Sequence, residues 1–160
     1  MAQTVESTQD ELTRRHRATT SVVIAMFVLT LLLMLVAVAG LFSTAPDPGS
    51  PVVGVLRLTI LLFALGAIAL RRTKFSAMRL RDIAALRGVS GLLETLQKTT
   101  VYVALIGGAI AVMSFVISLL TGVGADMVWH GVIAVVVLLY AYPRRAAWRR
   151  VVEATRQPGE

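Results

Sequence analysis

The chain has 160 residues, 56% of them hydrophobic, with a mean hydropathy of +0.76 and a net charge of +7. It is one domain's worth of protein and too apolar for a soluble domain, and four apolar stretches are too few to close a β-barrel. The absence of cysteine excludes disulfides, thiolate metal sites and cysteine nucleophiles.

The expected class is an all-α integral membrane protein with four transmembrane helices arranged as two antiparallel hairpins. Residues 1–20 form a polar segment with alternating charges, expected to be disordered or a frayed helix. The first span, 21–42, is bulky and apolar with Thr30 as an interruption, which predicts a lipid-facing helix. Ala37-Val38-Ala39 resembles a signal-peptide cleavage pattern. The apolar run nevertheless continues through Phe42, and Glu6, Asp10 and Glu11 precede it, so the expectation is a retained span. Arg14-Arg15 lacks the apolar residues that should follow a twin-arginine signal.

Ser43 to Ser50 holds Pro46, Asp47, Pro48 and Gly49 and reads as a turn, with Pro51 suited to the first position of the second span, 51–70. Arg57 is the only charged residue inside a span. It lies about 9 Å along the second helix, and a buried Arg costs several kcal/mol unless it snorkels or finds an acceptor. Asp47 and Asp126 are the available acids; the functional alternative is a site for an anion, a lipid or a quinone headgroup.

The link 71–100 is expected to be a helical hairpin outside the membrane. Its turn falls at Arg87-Gly88-Val89-Ser90-Gly91, with Gly88 as stop and Ser90 as the next cap, and Glu94 stands in favourable register with Lys98. The competing arrangement lays 75–87 flat on the membrane, but Arg79 and Asp82 interrupt its apolar stripe. In the third span, 101–121, Ala104, Gly107, Gly108, Ala111, Ser114 and Ser118 recur at spacings of three and four. This small-residue face predicts the most buried helix, with a homo-oligomer contact or pore lining as the alternative.

Thr121 to Met127 contains Gly122, Gly124 and Asp126 and forms the second short link before the fourth span, 128–142. Short links predict antiparallel neighbours. Trp129 and His130 sit at the start of that span as interface anchors, and His130 completes a candidate polar site with Arg57 and Asp126. The other histidine, His16, lies across the membrane, so neither haem nor metal is expected and the cofactor expectation is none. Pro143 opens a basic amphipathic tail, 143–160, with Trp148, Val151, Val152 and Thr155 at helical spacing. A solvated helical extension is the rival reading of that tail.

All but one of the Lys and Arg residues fall in 14–17, 71–98 and 144–156. The positive-inside rule then places the N-terminus, the central link and the C-terminus in the cytoplasm of a multi-pass protein of the cell membrane. Arg71, Arg72, Arg144, Arg145, Trp148, Arg149 and Arg150 are the expected contacts to anionic lipid headgroups, at about 1 kcal/mol per basic residue. Nucleic acid is not an expected partner, because the basic residues flank apolar spans and lack interleaved aromatics.

The halves show an internal similarity. Gly54-Val55 stands seven residues before Leu61-Leu62-Phe63-Ala64, as Gly131-Val132 stands before Leu138-Leu139-Tyr140-Ala141, and Thr19-Thr20 matches Thr99-Thr100. Tandem duplication of one hairpin would produce this, with chance similarity among apolar residues as the rival.

No span carries Asp or Glu, which argues against rotary proton transfer and proton-coupled export, both of which need a titratable carrier. No nucleophilic triad, phosphate-cradling loop or zinc-binding His pair is present, so no enzymatic activity is expected. The first expectation is a structural or accessory subunit, or assembly factor, of a larger membrane complex, contacting other membrane subunits or itself. The alternative is an oligomeric channel or transporter for a small solute or ion, with Arg57 near its external mouth. A holin-like membrane-lesion protein is the remote alternative.

Overall fold

The computed structural model describes residues 2–40, 49–74, 77–143, 146 and 148. Among them every regular element is helical: α1 (Ala2–Val38), α2 (Pro51–Lys74), α3 (Ala77–Thr121) and α4 (Gly124–Ala141). Each contains a stretch long and apolar enough to cross a membrane.

Local sequence sets the ends of these elements. Pro51 opens α2, where its missing N–H costs nothing. The reversal from α3 to α4 takes only Gly122 and Val123. Gly122 supplies a φ of 68°, which an L side chain rarely adopts. Two α3 side chains close that turn: Thr121 Oγ1 accepts from the Val123 amide at 3.3 Å, and the Ser118 hydroxyl donates to the Val123 carbonyl at 3.2 Å. The fourth helix therefore begins at Gly124 rather than 128, because the side chains of α3 stabilise a tighter turn than the glycines alone suggest.

Within α3 the helix breaks at Gly88, with φ 67° and ψ −172°. Helix on both sides of that glycine agrees with the expected stop. Residues 75 and 76 lie outside the described residues, so α2 is described to Lys74. The Ser90 hydroxyl donates to Glu11 Oε1 at 2.9 Å on α1, which is a tertiary contact where a local cap was expected.

The polar N-terminal segment is helical from Ala2, continuous with the first span, which corrects the expectation of disorder or fraying. The physical reason is tertiary: Leu12 buries in a cluster with Leu92, Leu93, Leu96 and Trp148, giving the segment apolar contacts that its composition alone does not advertise.

Contacts set the directions. Val23 packs with Ala104, and Met26 lies over Gly108, so α1 and α3 run the same way. Leu138 covers Gly107, and Met34 covers Gly131, so α4 runs opposite to both. Arg57 meets Asp126 and Arg71 stacks on Tyr140, so α2 parallels α4. The inner pair is α3 and α4; α1 and α2 each pack on both, yet scarcely touch each other among the described residues. The contacts that hold α1 and α2 are those with α3 and α4.

Seven-residue stripes build the core. Val53, Ile60 and Ala67 of α2 join Val103, Ile110 and Ile117 of α3 in the main cluster, with Ala134 and Ala141 of α4. Such seven-residue spacing is typical of helices that pack at shallow crossing angles. Half of the apolar window of α3 is buried, against 33% for α4, 17% for α2 and 11% for α1, as a central pair with two flanking helices requires. Ile24, Leu31, Leu32 and Leu35 of α1 are exposed apolar side chains facing outward.

The internal repeat fits this geometry only in part. Thr19 and Thr99 are both buried along the α1–α3 seam, where residues about 80 apart are neighbours. Arg57 and Asp126 stand 69 positions apart, whereas the matched runs in α2 and α4 are 77 apart. Ala64 and Ala141 therefore differ in depth by about 12 Å at 1.5 Å per residue.

Candidate functional site

Arg57, Asp126 and His130 come together at the seam of α2 and α4, near the end of the bundle opposite the basic stretches. Asp126 lies in the first turn of α4, where a carboxylate also complements the helix dipole. Arg57 Nη2 donates to both Asp126 oxygens, at 3.3 and 3.4 Å. The pair is loose, since charge-assisted bonds run at about 2.7–2.9 Å. Its side chains are 48% and 21% exposed. The His130 ring lies one turn along, with Nδ1 2.8 Å from the Asp126 carbonyl. A carbonyl only accepts, so Nδ1 is the donor in this contact. Trp129 is 75% exposed beside them. Asp47, the other acid considered for Arg57, lies outside the described residues.

The small-residue face of α3 lies inside the protomer. Ala104, Gly107, Gly108, Ala111, Ser114 and Ser118 are all buried. A Cβ at Gly107 would stand 2.9 Å from Leu138 Cγ and Cδ2, and one at Gly108 would stand 2.7 Å from Met26 Sδ. The face is thus occupied by α1 and α4, leaving it neither at an outer surface nor along a pore.

Several buried hydroxyls, including that of Thr19, donate to carbonyls of their own helices. Thr30 donates to Met26 O at 2.8 Å, Thr100 to Leu96 O at 2.8 Å, Ser114 to Ile110 O at 2.7 Å, and Thr121 to Ile117 O at 3.0 Å. Hydroxyls bonded in this way are not free to line a path for an ion.

A second polar assembly, which the sequence reading missed, lies at the basic end. The Arg15 guanidinium engages Glu11 at 2.8 Å and Gln97 at 3.4 Å. His16 Nε2 donates to the Pro143 carbonyl at 2.9 Å, and its ring meets Trp148 edge to face at 5.7 Å. The available signal was the spacing of Leu12, His16, Thr19 and Val23, which carries the stripe of the first span back into the polar segment. An open cleft of about 670 Å³ borders this assembly, lined by Arg15, Glu94, Gln97, Lys98, Val101 and Tyr102. Lys98 and Glu94 pair at 2.6 Å on one helix.

The expected headgroup contacts divide accordingly. Trp148 is corrected: it is 3% exposed and packs among Leu12, Leu92, Leu93 and Leu96, because that cluster offers its ring more apolar contact than a surface position. Arg71 is half-buried, with its guanidinium 4.3 Å from the Tyr140 ring centroid, a cation–π contact within the protomer. Arg72 is exposed. Arg144, Arg145, Arg149 and Arg150 lie outside the described residues, as does the amphipathic tail from Val151. Among the described residues no three His, Asp or Glu side chains converge as metal ligands would.

No family model matches this chain, and no curated protein or solved structure proves similar to it.

Proposed function

We propose that this protein is a structural or accessory subunit, or an assembly factor, of a larger membrane complex. In this reading it sits in the cell membrane with both termini and the basic end in the cytoplasm, against anionic headgroups. The observation that carries it is the closed interior: small residues of α3 covered by Leu138 and Met26, and hydroxyls spent on their own backbone. That construction holds a shape, as a structural subunit requires. The assembly of Glu11, Arg15, Ser90 and Gln97, backed by the buried Trp148, gives the basic end a defined surface on which a partner can dock.

The test is purification of the tagged full chain from its native membrane in mild detergent at native expression level, followed by mass spectrometry. Stoichiometric recovery with the subunits of one complex is the expected result. Recovery as a lone homo-oligomer would overturn the reading for the extracted state. The channel or transporter reading draws on one observation, the half-exposed Arg57 guanidinium. Wild-type ion flux in reconstituted vesicles, lost in Arg57→Ala, would favour it.

A further inference from the structure

We propose that Arg57 is a phosphate-binding residue which holds the headgroup of a membrane phospholipid at the α2–α4 seam. A guanidinium presents five N–H donors in one plane. Among the described residues Nη2 alone is engaged, by Asp126 at 3.3 and 3.4 Å, while Nη1 and Nε make no hydrogen bond. The side chain remains 48% exposed. A charge so placed requires acceptors, and an Arg fork matches two phosphate oxygens.

The surroundings specify where that phosphate comes from. On α2, Val55, Leu58 and Leu61 are exposed apolar side chains on either side of Arg57, which suits acyl chains. Asp126 belongs to the first turn of α4, and Trp129 is exposed one turn along, a placement typical of the boundary between headgroups and hydrocarbon. The guanidinium is therefore offered sideways to lipid at the depth of the phosphates. Asp126 orients it through one nitrogen, and no other described residue bonds to its opposite edge. Inorganic phosphate shares the recognising chemistry but lacks the chains that those apolar side chains would contact.

Native mass spectrometry of the full chain in mild detergent tests this with three probes: phosphatidylglycerol, diacylglycerol and inorganic phosphate. The wild type is expected to retain one phosphatidylglycerol that Arg57→Gln loses, with affinity reduced about tenfold or more. Arg57→Lys should fall between the two, since it keeps the charge and loses the fork. Arg17→Gln, an exposed charge on α1 at the basic end, should leave that lipid in place. Asp126→Asn should retain it as well as or better than the wild type, because the competing carboxylate charge is gone. Thermal melting of each variant separates lost binding from lost fold. Equal retention in wild type and Arg57→Gln would overturn the proposal. So would parallel loss of lipid and melting temperature in Arg57→Gln and Asp126→Asn, the signature of a purely structural pair. Retention of diacylglycerol as strong as that of phosphatidylglycerol, or displacement of the lipid by equimolar inorganic phosphate, would refute a phospholipid site.

Discussion

Gly107 and Gly108 are adjacent in sequence and both buried, yet alanine at the two positions should shift stability in opposite directions. A methyl at Gly107 would lie 2.9 Å from both Cγ and Cδ2 of Leu138 and 3.5 Å from Val137 Cγ1. Ordinary carbon contacts run at about 3.5–4.0 Å, so Leu138 must retreat by most of an ångström. Leu138 is fully buried, and the clash involves its branch point, which rotation about its outer bonds cannot remove. Overpacking of this kind costs about 1–3 kcal/mol, against a gain of up to about 1 kcal/mol for replacing a helical glycine. The expected net loss is up to about 2 kcal/mol. At Gly108 the close atom is Met26 Sδ at 2.7 Å, with Cγ already at 3.7 Å. A thioether on rotatable bonds can move aside, so the propensity gain should dominate and Gly108→Ala should be neutral or stabilising by up to about 1 kcal/mol. Unfolding of each variant in mixed micelles, followed by circular dichroism, measures the difference. A cycle with Leu138→Ala isolates the clash: the cost of Gly107→Ala should largely vanish in that background. Equal effects at the two glycines, or a cycle with no coupling, would refute the claim that α3 and α4 touch through Gly107.

A second glycine pair separates backbone strain from packing. Neither Gly66 nor Gly88 has any atom within 4 Å of an added Cβ, but Gly88 has φ +67°. Gly66→Ala should stabilise by about 0.5–1 kcal/mol and Gly88→Ala should destabilise by about 1–2 kcal/mol, read by the same unfolding assay. Two effects of one sign would contradict the break at Gly88. Because the chain has no cysteine, Leu12→Cys creates a unique label in a side chain only 7% exposed. Adding Trp148→Ala should remove about 3–5 kcal/mol of local packing and raise the maleimide labelling rate sharply. An unchanged rate would mean that Trp148 does not cover Leu12.

The number of spans, their approximate places, the burial of α3 and the break at Gly88 were legible because polarity and glycine mark them directly. The partners of each helix were not. In α2 the inward Val53, Ile60 and Ala67 differ from the outward Val55, Leu58, Leu61 and Leu62 in shape more than in polarity, so hydropathy offers no contrast between core and lipid. The assembly at the basic end was hidden for the opposite reason. Leu12 and His16 stand among charged residues, and what they gain becomes visible only when Leu92, Leu93 and Trp148 converge from distant parts of the chain. Arg57 and Asp126 were each conspicuous. That Asp126 would engage one guanidinium nitrogen depends on the relative depth of α2 and α4, which no residue type encodes.

The near absence of contact between α1 and α2 bears on how the protein can be cut and rejoined. Residues 39–50 connect two helices that α3 and α4, and not each other, hold in position. The stability of the bundle should depend little on the length of that connection, since closure cost rises only slowly with added residues. It is the natural place to splice in a reporter, or to divide the gene so that α1 is made separately from the rest. Co-expressed pieces should then reassociate, with α1 finding Gly108, Gly124 and Gly131 as its seats.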